Sequence, residues 1–249
     1  MINYILADIR RISRKQSFIY TLGGFIGLFL LMIFIYYNPT FNQNAYLEKT
    51  DTFLGFFPLV MGLSIFLSIY YDDFKSKSMQ IAIGYGISRS KVVLTKIIEV
   101  AILSLLSALL LGIVILVIPI FLKMSLSSKE IFTIILGVGA EALRIIGYIS
   151  MSTILVYYSQ NAMIGTIFYV LLSSKTVMLI LATILGQGFI INSIGDLTKF
   201  MYTIILYKEK LSFIETGSFD FLIIAGILVY IVLPTIITII MFRKKELEF

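Results

Sequence analysis

The sequence predicts an all-α integral membrane protein with six transmembrane helices, an amphipathic amino-terminal helix, and outer-leaflet helices between the fifth and sixth spans. Three observations carry this. Of 249 residues 59% are hydrophobic and only 14% charged, with a mean hydropathy of +1.00, whereas a soluble domain carries roughly a quarter of its residues as charges. Six stretches, near 17–37, 52–71, 95–119, 131–157, 162–185 and 220–242, reach the roughly 20 residues a helix needs to cross a hydrocarbon core of about 30 Å. Runs such as Phe25 to Tyr37 and Ile102 to Ile120 lack the polar and apolar alternation of a membrane barrel strand. A single membrane domain, 1–249, accounts for the chain.

Each element has its own reason. Ile2, Ile5, Leu6, Ile9 and Ile12 recur at helical spacing while Arg10, Arg11, Arg14 and Lys15 take other faces, so residues 1–16 read as a helix lying along the membrane surface. A basic segment precedes the first span, but Tyr36-Tyr37-Asn38-Pro39 stands where a signal cleavage site needs small residues; the stretch is a membrane helix. Within it Gly23 and Gly27 form a GxxxG, suited to close packing within the chain or between copies. Pro58 and Pro234 fall inside the second and sixth spans and favour kinks. Tyr36/Tyr37, Tyr70/Tyr71 and Tyr157/Tyr158 end three spans and are expected at the interface. After the fifth span, Gly186-Gln187-Gly188 breaks the run, and Ile190, Ile194, Leu197, Met201 and Ile204 share one face against Ser193, Asp196 and Lys199. Helices over 186–218 are therefore expected to dip into or lie on the outer leaflet.

Charge sets the orientation. With both termini inside, twelve Lys and Arg lie on the cytoplasmic side, against Lys49, Lys123, Lys129, Lys199, Lys208 and Lys210 outside, which satisfies the positive-inside rule. The net charge of +6 lies at helix ends, without a basic face carrying interleaved stacking residues, so lipid headgroups and not nucleic acid explain it. Cysteine and histidine are both absent, which removes disulfides, thiolate metal sites and the commonest general base. No GxxxxGK[ST], HExxH or GxSxG occurs, so the chain carries no phosphate-binding loop and neither of these hydrolase signatures.

Three charged residues lie deep in the predicted spans: Glu141 and Arg144 in the fourth, Lys175 in the fifth. Each costs a few kcal/mol if left unpaired at such depth. Glu141 is expected to pair with one or both cations, either as structure or as a polar, net-positive patch along a transport route. Lys96 and Glu99 repeat the i,i+3 spacing at the start of the third span, where Lys96 is expected to snorkel to headgroups.

The most informative segment is the polar insert at 72–94. Asp73-Phe74-Lys75, then Gly84-Tyr85-Gly86-Ile87-Ser88-Arg89, then Lys91 and Lys96 before an apolar helix, resembles the first cytoplasmic loop of ABC-2 type permeases. The similarity is closest to the small six-helix permeases of bacterial peptide exporters and of bacteriocin or lantibiotic self-immunity systems. The layout of the chain resembles theirs throughout, although the residue-level likeness covers about 25 positions, and Ala82-Ile83 is less polar than is usual there.

The resemblance implies a subunit of an antimicrobial-resistance exporter in the bacterial cytoplasmic membrane, without enzymatic activity of its own. Residues 72–94 would form a coupling loop docking on a cytoplasmic ATPase subunit through Asp73, Phe74, Lys77, Gly86, Ser88, Arg89 and Lys91, braced by the connecting helix 1–16. ATP and Mg would be bound by that partner, with no cofactor in this chain, and a second permease subunit, identical or related, would complete the pathway. The implied cargo is an amphipathic peptide, with lipid or drug export, or sequestration of a toxic peptide without turnover, as alternatives.

Overall fold

The computed structural model describes residues 2–245, which form helices α1 (Ile2–Ser13), α2 (Gln16–Tyr36), α3 (Gln43–Lys75), α4 (Ser78–Gly84), α5 (Arg89–Phe121), α6 (Ser128–Ser159), α7 (Ala162–Ser173), α8 (Lys175–Leu185), α9 (Gly188–Ile194), α10 (Tyr202–Thr216) and α11 (Phe221–Lys244). Five of these, α2, α3, α5, α6 and α11, are long and apolar enough to cross a membrane, and the bent pair α7–α8 brings the number to six if it counts as one span. The chain is a multi-pass, all-helical protein of the membrane class.

Helix α6 is the central post. It packs against α3, α5, α7, α10 and α11. A capping box at Ser127 and Glu130 starts it, and its core face carries small or hydroxylated residues, Gly147, Ser150, Ser152 and Thr153, all buried. Their hydroxyls return to the helix's own carbonyls, as from Ser150 to Ile146 O at 2.8 Å, and Thr153 reaches Thr238 of α11 at 3.1 Å. Small residues let helices approach where lipid gives no hydrophobic drive.

Helix α3 begins earlier than the predicted 52, at Gln43, where the Asn42 side chain accepts from Ala45 N–H at 3.0 Å. Its path is irregular as Pro58 requires: a turn at Gly55–Phe56, then wide π turns over Pro58–Gly62 and Leu67–Tyr71. Proline donates no hydrogen bond and so removes the donor for the carbonyl four residues before it, Leu54 O, while the adjoining turns interrupt the regular ladder on either side. Carbonyls along this irregular stretch accept from other helices: Arg144 Nη2 donates to Gly55 O at 2.7 Å, Tyr169 Oη to Pro58 O at 2.5 Å, and Lys175 Nζ to Thr52 O at 3.0 Å. Pro234, in contrast, sits inside an α11 that runs on through it.

Several expectations change. The fifth span is not one helix: α7 and α8 meet at 65°, because Ser174 is extended and its hydroxyl caps the new helix at Val177 N–H, a local bond that competes with helix continuation. The face expected from Ile190 to Ile204 is divided among three elements, since Gly195 takes φ +91° after α9 and a short 3-10 turn, Thr198–Phe200, precedes α10. Helix α10 then packs on α6 and α11, with Tyr202 laid over Gly147 and donating to Leu143 O at 2.7 Å. Tyr70 and Tyr157 are buried in the core, joined to Phe66, Phe74 and Phe242 in one aromatic cluster, while Tyr71 and Tyr158 are exposed. Gly23 and Gly27 face outward, with nothing in the chain within 4 Å of an added Cβ; α2 packs instead through Phe18, Phe25, Phe29 and Ile33.

The kink has a checkable requirement. A Cβ on Gly62 would stand 1.7 Å from the Tyr169 hydroxyl, so Gly62→Ala is expected to lower stability in detergent by about 1–3 kcal/mol. Gly27→Ala is expected to be neutral or slightly stabilising. Equal melting temperatures for the two variants would contradict the packing described.

Candidate functional site

Two clusters of polar residues stand out against the apolar body, one at the end that carries both termini and one toward the opposite end. The first is built around Lys96. Seven residues into α5, it is fully buried, and its ammonium lies 2.5 Å from Asp8, 2.5 Å from Asp73 and 3.0 Å from Glu99. Asp8 belongs to α1 and Asp73 to the end of α3, so one cation ties three helices. Arg11 extends the cluster, reaching Asp8 and Asp73 at 3.1 Å each, and Lys15 holds Asp72 at 2.5 Å. Lys96 therefore does not snorkel: α1 covers it and supplies one of its counter-charges, and the ring of Tyr4 lies 5.1 Å from the ammonium.

The local electrostatics follow from this crowding. Burial works against the Arg11 charge, but Asp8 and Asp73 outweigh it and raise its pKa, so the guanidinium stays charged. Burial, only partly offset by Lys96, pushes the Tyr4 phenol above its ordinary range, so it stays protonated. Removing one partner of such a cluster leaves a buried charge uncompensated, which costs about 3–5 kcal/mol.

The sequence-predicted loop residues divide into two sets. Asp73 and Arg89 turn inward. Asp73 is 1% exposed in the Lys96 cluster, and Arg89 Nη1 donates to Phe242 O at 2.9 Å, Arg243 O at 3.3 Å and Lys245 O, closing the end of α11. Arg243 returns a bond to Ser90 at 2.7 Å. Phe74 is half-buried against Tyr157, 6.1 Å between ring centres. Lys77, Gly86, Ser88 and Lys91 are exposed, joined by Ile81 and by Tyr85, whose ring is 87% exposed. Lys77 at φ 56° and Gly86 at φ +90° bracket α4, which buries Met79 and Ala82 against the body and turns its other face outward.

The second cluster lines a cavity of about 340 Å³ between α3, α6, α8 and α10. It contains all three intramembrane charges, Glu141, Arg144 and Lys175, and adds Asp51 and Lys210. Glu141 pairs with Arg144 at 2.9 Å and Asp51 with Lys210 at 2.6 Å. Lys175 is the departure from expectation: it lies on Thr52 O and 4.7 Å from the Phe56 ring centre, and pairs with no carboxylate among the described residues.

Sequence reasoning missed Asp8, which reads as one polar residue on an amphipathic helix, and Asp51 and Lys210, which read as loop charges. The signal for the first was Lys96 in an apolar helix, which needs a counter-charge from somewhere. Among the described residues no group of three or more acidic side chains is arranged to hold a metal ion. No protein-family model, curated protein or solved structure matches the chain.

A double-mutant cycle separates the intramembrane pairings. The coupling of Glu141→Gln with Arg144→Met, from unfolding in detergent, is expected to exceed that with Lys175→Met by at least about 1 kcal/mol. Equal couplings would place Glu141 between the two cations.

Proposed function

We propose that this chain is the membrane-spanning permease subunit of an ATP-driven exporter of the ABC-2 type, exporting amphipathic peptides across the bacterial cytoplasmic membrane, with both termini cytoplasmic. One observation carries the reading. The face formed by Lys77, Ile81, Tyr85 and Lys91 is exposed, yet the segment that carries it is packed through Met79 and Ala82 and clamped to α1, α5 and α11 through Asp73, Lys96 and Arg89. A solvated loop serving topology alone needs no such bracing, whereas a lever must not bend at its base.

In this reading the inward and outward residues divide the work. Lys77, Tyr85, Gly86, Ser88 and Lys91 offer the contact surface for a cytoplasmic ATPase subunit, and Asp73, Phe74 and Arg89 pass its displacement into the helices. ATP must come from that partner, since the sequence has no phosphate-binding loop. The outward face of α2 at Gly23 and Gly27 is open to a second permease subunit. The chain's role in self-immunity would be to remove a toxic peptide, as opposed to sequestering it.

Pull-down of the chain from mild detergent, followed by an ATPase assay, is expected to recover a nucleotide-hydrolysing partner. Tyr85→Ala with Lys91→Glu should reduce its recovery about tenfold or more, the loss of an aromatic anchor that the partner would bury, while the variant still inserts and melts normally. A chain that purifies without ATPase activity, and protects cells equally when ATP hydrolysis is blocked, would favour sequestration and contradict the proposal.

A further inference from the structure

The cavity between α3, α6, α8 and α10 carries a charge that its own pairing does not absorb. Asp51 neutralises Lys210 and Glu141 neutralises Arg144. Lys175 remains, with no carboxylate within 4.0 Å among the described residues. The Nε of Arg144, buried in the same wall, also lacks a hydrogen-bond partner. Lys175 moreover opens α8, an 11-residue helix, at the end where the helix dipole is already positive and a cation is disfavoured. The bond to Thr52 O uses one of its donors, but neither the helix dipole nor an ion pair balances its charge.

The rest of the wall is apolar. Leu54, Met178, Ile204 and Leu206 line the cavity beside the charges. Helix α8 buries none of its residues, and its Leu179 and Ile180 are 60% and 53% exposed, so this wall is thin and borders the surrounding lipid.

We propose that this cavity binds the phosphodiester headgroup of a monoanionic phospholipid, with Lys175 as the charge that selects it and the apolar wall receiving the first carbons of its chains. One surplus positive charge matches one negative headgroup. A zwitterionic lipid brings a second cation into a site that already has an excess of one, and a cationic peptide is repelled. The inference does not rest on ATP-driven transport: lipid binding is measured without nucleotide, so either reading can fail while the other stands.

Native mass spectrometry of the purified chain in mild detergent, with added phosphatidylglycerol or phosphatidylcholine, tests it. Phosphatidylglycerol is expected to be retained about fivefold or more over phosphatidylcholine at equal concentration, the effect of one lysine near a headgroup. Lys175→Gln should remove the preference and Lys175→Arg should keep it. Lys208→Gln, which removes an exposed charge from α10, should leave it unchanged. Because losing Lys175 also frees Thr52 O, Met178→Glu provides a second route: it cancels the surplus with Lys175 in place and should abolish the preference equally. Equal retention of the two lipids by the wild type, or an undiminished preference in both Lys175→Gln and Met178→Glu, overturns the proposal. So does displacement of the lipid by millimolar inorganic phosphate, which would assign a free-anion site.

Discussion

The ammonium of Lys96, enclosed by Asp8, Asp73 and Glu99, is the interaction on which the arrangement of the terminal end depends. A lysine seven residues into an apolar helix must reach water or find carboxylates. Here α1 closes off water and contributes Asp8, so the amphipathic helix is fixed by charge as well as by burial of Ile5 and Ile12. The same ammonium pins Asp73, and thereby the point at which the chain leaves α3 for the exposed segment. With Arg89 fastening the other side of that segment to the end of α11, the segment is anchored at both ends, and Met79 and Ala82 pack its middle.

A second constraint governs the opposite end. The helical ladder of α3 is interrupted by the turn at Gly55–Phe56 and by the π turns that follow, and in a membrane carbonyls along such a stretch need donors from protein. Arg144, Tyr169 and Lys175 supply them from α6, α7 and α8. The charges that the sequence places at mid-membrane thus have a structural duty, and discharging it brings them round a common cavity. The structural and functional readings of these residues are not exclusive, since the same geometry that satisfies the backbone leaves Lys175 facing the cavity without a counter-ion.

Much of this was legible in the sequence. The long apolar runs locate the helices, the 3.6-residue spacing of Ile2 to Ile12 gives α1, and Pro58 marks the irregularity of α3. What was not legible depends on partners distant in the chain. Lys96 looks like an anchoring lysine until Asp8, 88 residues away, is brought to it. Tyr70 and Tyr157 look interfacial because they end apolar runs, yet they pack on each other and on Phe66, Phe74 and Phe242. Ser174 reads as one polar residue in an apolar span, and only its capping bond shows that the helix stops there. Asp73 and Arg89 lie in the polar insert, but their side chains face the protein and leave the exposed surface to Lys77, Tyr85 and Lys91.

Lys96 joins α1, the segment 72–91 and the start of α5 into one mechanical unit. Hydrogen–deuterium exchange on wild type and Lys96→Met in detergent tests this most directly. Loss of the ammonium leaves Glu99 without its ion-pair partner and leaves Asp8 and Asp73 crowded with Arg11 as their shared cation, so α1 and residues 72–91 should lose protection together while α6 and the cavity end stay protected. Unchanged protection in both, or deprotection of α1 alone with 72–91 unaffected, would contradict the claim that this one buried cation holds the segment in place.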